Sequence, residues 1–371
     1  MRILILNNGY LTRTPSGGDK HLLDLGDALS RQHDVTIILP NIAADLPASG
    51  LRKRTYWAWQ PRSTFGIMAA YFLRGIRALG MALHERADIV LSSSGPIDIL
   101  PALANRWIFG SCVVVYPFHL VPRREASGLM QGFQFAVSRL AQIYALFLMR
   151  RADVVFTDNS IVKSELVAQG IPVNRIHVQR PVVNVAQVQL AATIPRYRVV
   201  FIGRMVRSKG IYDLVDALKL VSVSAGLIGD GEERLALSEY VFACGLAHRV
   251  QVLGPLPFDD MYALLKGCDL FVFPSYEEGY GIAIAEAIAA GKPVLAYELP
   301  HYREVFNNSL ITVPIGNAKM LTMRMQDFFE GRIDAAAIQD RYRSVYLASK
   351  ESAADFELNI IKSARGVRVN E

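Results

Sequence analysis

Cysteine is scarce: the 371 residues contain three, Cys112, Cys244 and Cys268. An odd number without paired spacing excludes a disulfide framework or a zinc ribbon and fits a reducing compartment. Long apolar runs are missing too. No uncharged stretch reaches the roughly 18 residues that a spanning helix needs. The longest candidate, between Arg106 and Arg123, is interrupted by Gly110, Pro117 and His119. The opening run to Leu6 leads straight into Asn7-Asn8-Gly9, too short for the apolar core of a signal peptide. No two aspartates stand two apart and the seven histidines are scattered, so no metal site is expected. No Ser/His/Asp nucleophile motif is present either.

What the chain does have is apolar content. Apolar residues make up 51% and mean hydropathy is +0.23, enough for large cores and incompatible with intrinsic disorder. The length predicts two domains. Arg2-Ile-Leu-Ile-Leu6 reads as a buried parallel strand, followed by a glycine-containing turn from Gly9 to Gly18 and a helical repeat from His21 to Leu29. Val35 to Leu39 is the next strand, and apolar runs recur at 89–91, 112–116 and 154–156. A second series follows at 199–202, 225–228, 250–253, 270–273 and 294–297. Such alternation predicts an α/β fold of two doubly wound, Rossmann-like domains with parallel sheets covered on both faces. The expected divisions are 1–190, 191–348 and a C-terminal helix at 349–371 that packs back toward the N-terminal domain. The crossing is placed in the uncharged stretch Pro181 to Pro195.

Charge is divided unevenly. Residues 1–190 hold 20 Lys and Arg against 12 Asp and Glu, and residues 191–371 hold 20 against 22. The excess positive charge therefore sits in the first half, which points to an anionic membrane surface or a nucleic acid as partner. No recognition helix, stacking sheet or zinc finger supports nucleic acid, so no nucleic-acid partner is expected.

The second half carries the chemistry. Gly203-Arg-Met-Val-Arg-Ser-Lys-Gly210 puts Arg204 and Lys209 in a turn between a strand and a helix. Two cations beside a helix N-terminus suit a pyrophosphate, and the bland alternative is a solvated basic turn. Gly229-Asp-Gly231 starts like a dinucleotide fingerprint, but Arg234 occupies the third glycine position and the pattern fails. A tight turn that lets a ligand approach the backbone fits better. The segment from Phe273 to Leu295 places Glu278 in a glycine loop and Glu286 about two turns inside a small-residue helix beginning near Tyr280. An acid in an apolar helix is costly unless satisfied, and ribose hydroxyls can do that; a structural ion pair is the competing explanation.

On these motifs the sequence resembles the retaining glycosyltransferases of family four, of GT-B fold and of the bacterial glycan or lipid-linked sugar transferase type. Glu278 and Glu286 match the family's E-x7-E signature, Gly203-Arg204 and Lys209-Gly210 its G-R-x-x-x-x-K-G stretch, and Gly229-Asp230-Gly231 its glycine turn. Ser16-Gly17-Gly18 resembles its glycine-rich N-terminal loop. The resemblance implies two domains facing a cleft and a nucleotide-sugar donor, UDP- or GDP-linked, held mostly by the second domain, with no cofactor. In that picture Glu286 holds the ribose, and Glu278 with the backbone of Gly279, Tyr280, Gly281 and Ile282 addresses the sugar and its phosphate. Arg204 and Lys209 neutralise the leaving diphosphate, in place of a metal ion. Gly17 and Gly18 close over it, and the base lies against Val252 and Leu253. His119 is the candidate beside the reacting sugar, against the alternative of a satisfied loop imidazole. Asp158 and Ser160 are weaker candidates for the same cleft, and Glu304 matches a family position of structural role. The alternatives are an inactive accessory subunit of the same fold and a nucleotide-sugar epimerase.

Residues 52–77 concentrate cations and aromatics, with Arg52-Lys-Arg54, Trp57, Trp59 and an apparent helix to about His84. On a helical wheel Phe65, Met68, Phe72, Ile76 and Leu79 share one face, with Arg74 and Arg77 opposite. That stripe alone predicts an ordinary amphipathic helix packed on the sheet. Aromatics beside cations, here and again at Phe133 to Arg151, also suit an anionic membrane interface. The expected partners are therefore the donor, a glycan or lipid-linked acceptor and an anionic membrane reached through the N-terminal domain, with the protein cytoplasmic and peripheral on the inner face of the cell membrane.

Overall fold

A computed structural model describes residues 1–8, 17–41, 50–59, 64–93, 95–117, 133–345 and 347–366. The chain forms two compact units. The first comprises Met1–Pro122, Met130–Val182 and Ala348–Glu371; the second is built on Val183–Leu347. The crossing thus falls at Val182–Val183, eight residues before the expected division at 190, and the return falls at Leu347–Ala348. The reason is packing: Val183 and Val188 are buried in the core of the second unit, while Val182 bridges Ala348 in parallel. The uncharged stretch read as a bare crossing contains a short helix of the second unit.

In the first unit the strands are β1 (Arg2–Leu6), β2 (Asp34–Pro40), β3 (Arg52–Tyr56), β4 (Ile89–Ser93), β5 (Cys112–Tyr116), β6 (Val154–Thr157) and β7 (Ile176–Val178). They form one parallel sheet in the order β3-β2-β1-β4-β5-β6-β7. The helices between them are α1 (Gly17–Ser30), α2 (Thr64–Ala82), α3 (Pro96–Phe109), α4 (Phe133–Met149) and α5 (Ser160–Ala168). Alternation along β1 divides its side chains between two cores. Ile3 and Ile5 pack with Leu22, Leu25 and Leu29 of α1; Leu4 and Leu6 pack with Ile99 and Leu103 of α3 and Leu148 of α4.

Strand β3 escapes the apolar pattern because it is an edge strand built from Arg52-Lys-Arg-Thr-Tyr56, and edges are kept charged. Two of its three cations are paired: Arg52 with Asp34 at 2.6 Å, and Arg54 with Glu85.

Helix α2 reverses the expected orientation. Ala70, Arg74, Ala78 and Ala82, four apart, are its buried side, with Arg74 only 3% exposed. Phe72 and Ile76, read as the core stripe, are exposed; the side chains of Phe65 and Met68 lie outside the described residues. The small side turns inward because α3 lies close: a Cβ on Gly75 would stand 3.2 Å from Ile97. Leaving a large apolar side chain in water forgoes about 1.5–3 kcal/mol of burial.

The second unit has α6 (Val185–Leu190), β8 (Val199–Ile202), α7 (Ile211–Leu220), β9 (Ala225–Ile228), α8 (Arg234–Ala243), β10 (Val250–Gly254) and α9 (Phe258–Gly267). It continues with β11 (Leu270–Phe273), α10 (Ile282–Ala289), β12 (Val294–Tyr297), α11 (Tyr302–Phe306), β13 (Ile311–Val313), α12 (Ala318–Phe329) and α13 (Ala335–Arg341). Its parallel sheet runs β10-β9-β8-β11-β12-β13. The strand order reverses between β8 and β11, and crevices open outside the carboxyl ends of strands at such a point.

The last helix, α14 (Lys350–Gly366), belongs to the first unit. Leu358 and Ile361 join the core beside α1, and Lys350 pairs with Asp24 at 2.9 Å. Glu357 is buried there, accepts a 2.5 Å hydrogen bond from the Tyr116 hydroxyl and faces Nε2 of His21 at 3.2 Å. His21 Nδ1 accepts from the backbone N–H of Val182, which leaves its proton on Nε2, toward Glu357.

Candidate functional site

Three loops leave the carboxyl ends of β8, β9 and β11 in the second unit and lock against one another. The backbone N–H of Met205 donates to the Asp230 carbonyl at 2.8 Å, and that of Glu233 donates to the Met205 carbonyl at 2.9 Å. The N–H of Tyr276 reaches the Ser208 carbonyl at 2.8 Å. Close approach explains the glycines. A Cβ on Gly229 (φ +138°) would stand 1.9 Å from the Gly203 carbonyl oxygen, and one on Gly231 would stand 2.4 Å from that of Met205. Gly210 (φ +65°) meets the Pro274 carbonyl oxygen at 1.9 Å in the same way. The residues of the Gly229-Asp-Gly231 turn are half-buried, and a side chain at either glycine would meet the neighbouring loop.

This lacing places the charges at the switch point. Lys209, largely buried at the end of the β8 loop, donates to Glu278 Oε1 at 2.6 Å and to the Glu277 carbonyl at 2.9 Å. Glu278 comes from the β11 loop, so the structure joins two residues that the sequence holds 69 apart. Arg204 is exposed on the first loop and pairs with no carboxylate among the described residues. Its neighbour Arg207 is engaged by Glu233 at 2.9 Å.

Helix α10 begins at Ile282, two residues after Tyr280, with Gly281 (φ +96°) as its N-cap. Glu286 therefore sits little more than one turn inside the helix. It is buried, as expected for an acid in an apolar helix, and accepts a 2.7 Å hydrogen bond from the Tyr262 hydroxyl of α9. Tyr280 turns its ring into the core against Phe306, with centroids 5.6 Å apart, so this position offers its backbone rather than its side chain. Gly279 is half-buried in the loop ahead of it.

Beneath the β11 loop, Asp213 of α7 accepts from the hydroxyls of Tyr276 at 2.7 Å and Tyr297 at 2.6 Å. The two rings meet edge to face at 5.3 Å. Burial, then the bond to Asp213, raises the Tyr276 phenol to about 12, so it stays a donor at any ordinary pH. Burial, with the Glu278 charge second, holds the Tyr302 phenol well above its usual range. Tyr262, Asp213, Tyr297 and Tyr302 were not legible as site residues, because each reaches the loop from another element.

Val252 and Leu253 are half-buried on β10, an edge strand, and the Gly254 carbonyl accepts from the Gly229 N–H at 2.9 Å. In the first unit, Gly17 and Gly18 open α1, and Gly18 is buried. His119 lies outside the described residues. Ser160 starts α5, while Asp158 is buried in a group with Gln179, His21 and Glu357. Burial, helped by the Glu357 charge and opposed by His21, raises the Asp158 carboxyl to about 7. Among the described residues no cluster of three His, Cys, Asp or Glu could hold a metal ion.

Two family models match the chain. Glycosyl transferases group 1 matches residues 189–345, and Glycosyltransferase Family 4 matches residues 15–187. A glycosyltransferase of Methanocaldococcus jannaschii is 35% identical over 96 residues, 26% of this chain and 27% of the relative. A putative teichuronic acid biosynthesis glycosyltransferase of Bacillus subtilis, TuaC, is 27% identical over 224 residues, 59% of this chain and 52% of the relative. The chain thus spans between a quarter and a half of the lengths of these two. Among solved structures, HepE of Anabaena, in complex with UDP and glucose, superposes with a TM-score of 0.73 at 18% identity. That match covers 98% of this chain and all of the other, and at such identity it shows the fold. The paired family models, together with two doubly wound parallel-sheet units, mean that the chain belongs to the family-four glycosyltransferases of GT-B fold.

Proposed function

We propose that the protein moves a sugar from a UDP- or GDP-linked donor to a membrane-associated glycan or lipid-linked acceptor, with retention and without a metal ion, in polysaccharide or glycolipid biosynthesis. The observation that carries this reading is the pairing of Lys209 with Glu278 at the β8/β11 switch point, with Glu286 buried at the start of α10. Arg204 and Lys209 stabilise the negative charge that grows on the departing diphosphate, the largest electrostatic demand of the reaction. The backbone N–H groups at the N-terminus of α10 hold a phosphate, and Glu286 accepts from the ribose hydroxyls while Tyr262 fixes its second oxygen. Glu278 is held by Lys209 and addresses the transferred sugar. The donor phosphate itself takes the acceptor proton on the face it leaves, as the family resemblance implies. A role in cell-surface polysaccharide synthesis is supported by the likeness to TuaC, and a nucleotide-sugar donor by the HepE complex.

The test is a thermal-shift panel of UDP-, GDP-, ADP- and dTDP-sugars with a chelator present, followed by slow donor hydrolysis. A donor at about a hundred times its Kd adds ~2.7 kcal/mol of stability. One nucleotide class is expected to raise the midpoint and to be hydrolysed in the chelator. No shift with any donor overturns the reading. Activity that appears only when a divalent ion is restored overturns its metal-independent part.

A further inference from the structure

Helices α2, α3 and α4 lie side by side on one face of the first unit's sheet. Asn105 of α3 donates to the carbonyls of Ala82 and Glu85 at the end of α2, both at 2.7 Å, and Arg106 of α3 faces Asp153 just after α4 at 3.4 Å. Their outward sides are apolar: Phe72 is 70% exposed, Trp107 76% and Leu140 67%, with Ile76 and Phe147 also in solvent. All three tryptophans of the chain, Trp57, Trp59 and Trp107, are exposed here. Trp57 and Trp59 are tied to α2, since Arg77 donates to the Trp57 carbonyl and Arg74 to that of Trp59. Large exposed apolar patches mark interaction surfaces, and α2 has turned its small side inward to make this one.

The charge on this surface selects the occupant. Across the three helices the one carboxylate is Asp98, buried against Asn8 and Ser93; of their four arginines Arg74 is buried and Arg106 faces Asp153, while Arg77 and Arg139 are exposed. Arg77 stands over the Trp57 ring at 5.3 Å, and Arg151 over the Phe147 ring at 4.5 Å. A guanidinium above an aromatic ring at the rim of an apolar surface suits a headgroup layer, with the ring at the acyl boundary and the cation among phosphates. A second copy fits poorly, because a two-fold interface would set these cations against themselves without a carboxylate to answer them. No helix among the described residues is long and apolar enough to cross a membrane.

We propose that the outer surface of α2, α3 and α4 sits in the interfacial layer of an anionic bilayer without spanning it; this rests on the reading that the acceptor is membrane-presented, and names the surface that meets the membrane. Arg52 and Arg54 of β3 have no part in it, since both are paired within the protein.

The experiment uses the full chain with vesicles of phosphatidylcholine alone and of equal phosphatidylcholine and phosphatidylglycerol, read by co-sedimentation and tryptophan emission. Binding to the anionic vesicles is expected to exceed binding to the neutral ones by about tenfold or more, with a blue-shifted emission. The variant Phe72→Ser/Ile76→Ser/Leu140→Ser keeps all three reporters; it is expected to lose about tenfold in binding while keeping its thermal midpoint. A control, Leu235→Ser/Phe242→Ser on the exposed side of α8, is expected to bind as the unsubstituted protein does. Equal binding by the triple variant, no binding to either vesicle, or a solution dimer that the triple variant abolishes overturns the proposal. Donor-induced thermal shift in the same preparations is read separately. Its absence removes the donor reading and leaves the vesicle result standing.

Discussion

Lys209 has two partners, a carboxylate and a main-chain carbonyl, and these position its charge. Lys209→Ala is expected to cut donor turnover by about 10²–10³, the usual cost of removing one group that meets developing charge. Steady-state donor hydrolysis checks this, and a loss confined to KM would contradict it. Tyr262 does not touch the donor in this account; it positions Glu286. Tyr262→Phe keeps the ring and removes one hydrogen bond to a carboxylate, worth about 1.5–3 kcal/mol. Donor affinity is expected to weaken by about tenfold or more, with little change in turnover at saturation. Glu278, Glu286 and Lys209 were legible because short segments with fixed spacing carry them. Tyr262 and Asp213 were not, because their bonds to Glu286 and Tyr276 cross 24 and 63 residues of sequence. Asp158 adds a pH dependence. The folded chain keeps its proton up to about pH 7, and the unfolded chain releases it near ~4. Stability contributed by this group is present at low pH and lost as pH rises through the folded value. The denaturant midpoint is expected to fall between pH 5 and pH 8, and to fall less in Asp158→Asn than in the unsubstituted protein.

At the scale of elements, the three loops of the second unit act as one body. Gly210 lies at φ +65° against the Pro274 carbonyl, so a methyl group there strains the backbone and pushes the β8 loop off the β11 loop. Gly210→Ala is expected to lower the thermal midpoint and donor binding together; a variant that binds donor normally would contradict the lacing. Helix α14 depends on a buried polar contact. Glu357→Ala leaves the Tyr116 hydroxyl without its acceptor and His21 Nε2 without the carboxylate it faces, and is expected to cost about 1–3 kcal/mol in chemical denaturation, as leaving a buried polar group unsatisfied does. Strand positions were readable wherever strands were buried on both faces, because such strands are continuous apolar runs. The charged edge strand β3 was not. Helix α2 misled for a different reason: hydrophobic periodicity identifies the apolar face, but close packing on α3 required the face of Ala70, Gly75, Ala78 and Ala82.

On the scale of the molecule, the uneven charge resolves into two roles in this account. The first unit carries the excess of basic residues and the exposed apolar surface of α2, α3 and α4; the second holds the near-neutral sheet and the Lys209–Glu278–Glu286 group. Membrane docking and donor binding are therefore expected to be separable by substitution, since the residues that carry them lie in different units. The donor site is the central claim, and it is tested most directly by isothermal titration of the nucleotide-sugar selected by the thermal panel into the unsubstituted protein and into Glu286→Ala. Loss of the ribose contact is expected to weaken binding by about tenfold to a hundredfold, the value of a hydrogen bond to a charged group. Equal affinity in the two proteins, with both folded, would contradict the placement of the donor at the β8/β11 switch point.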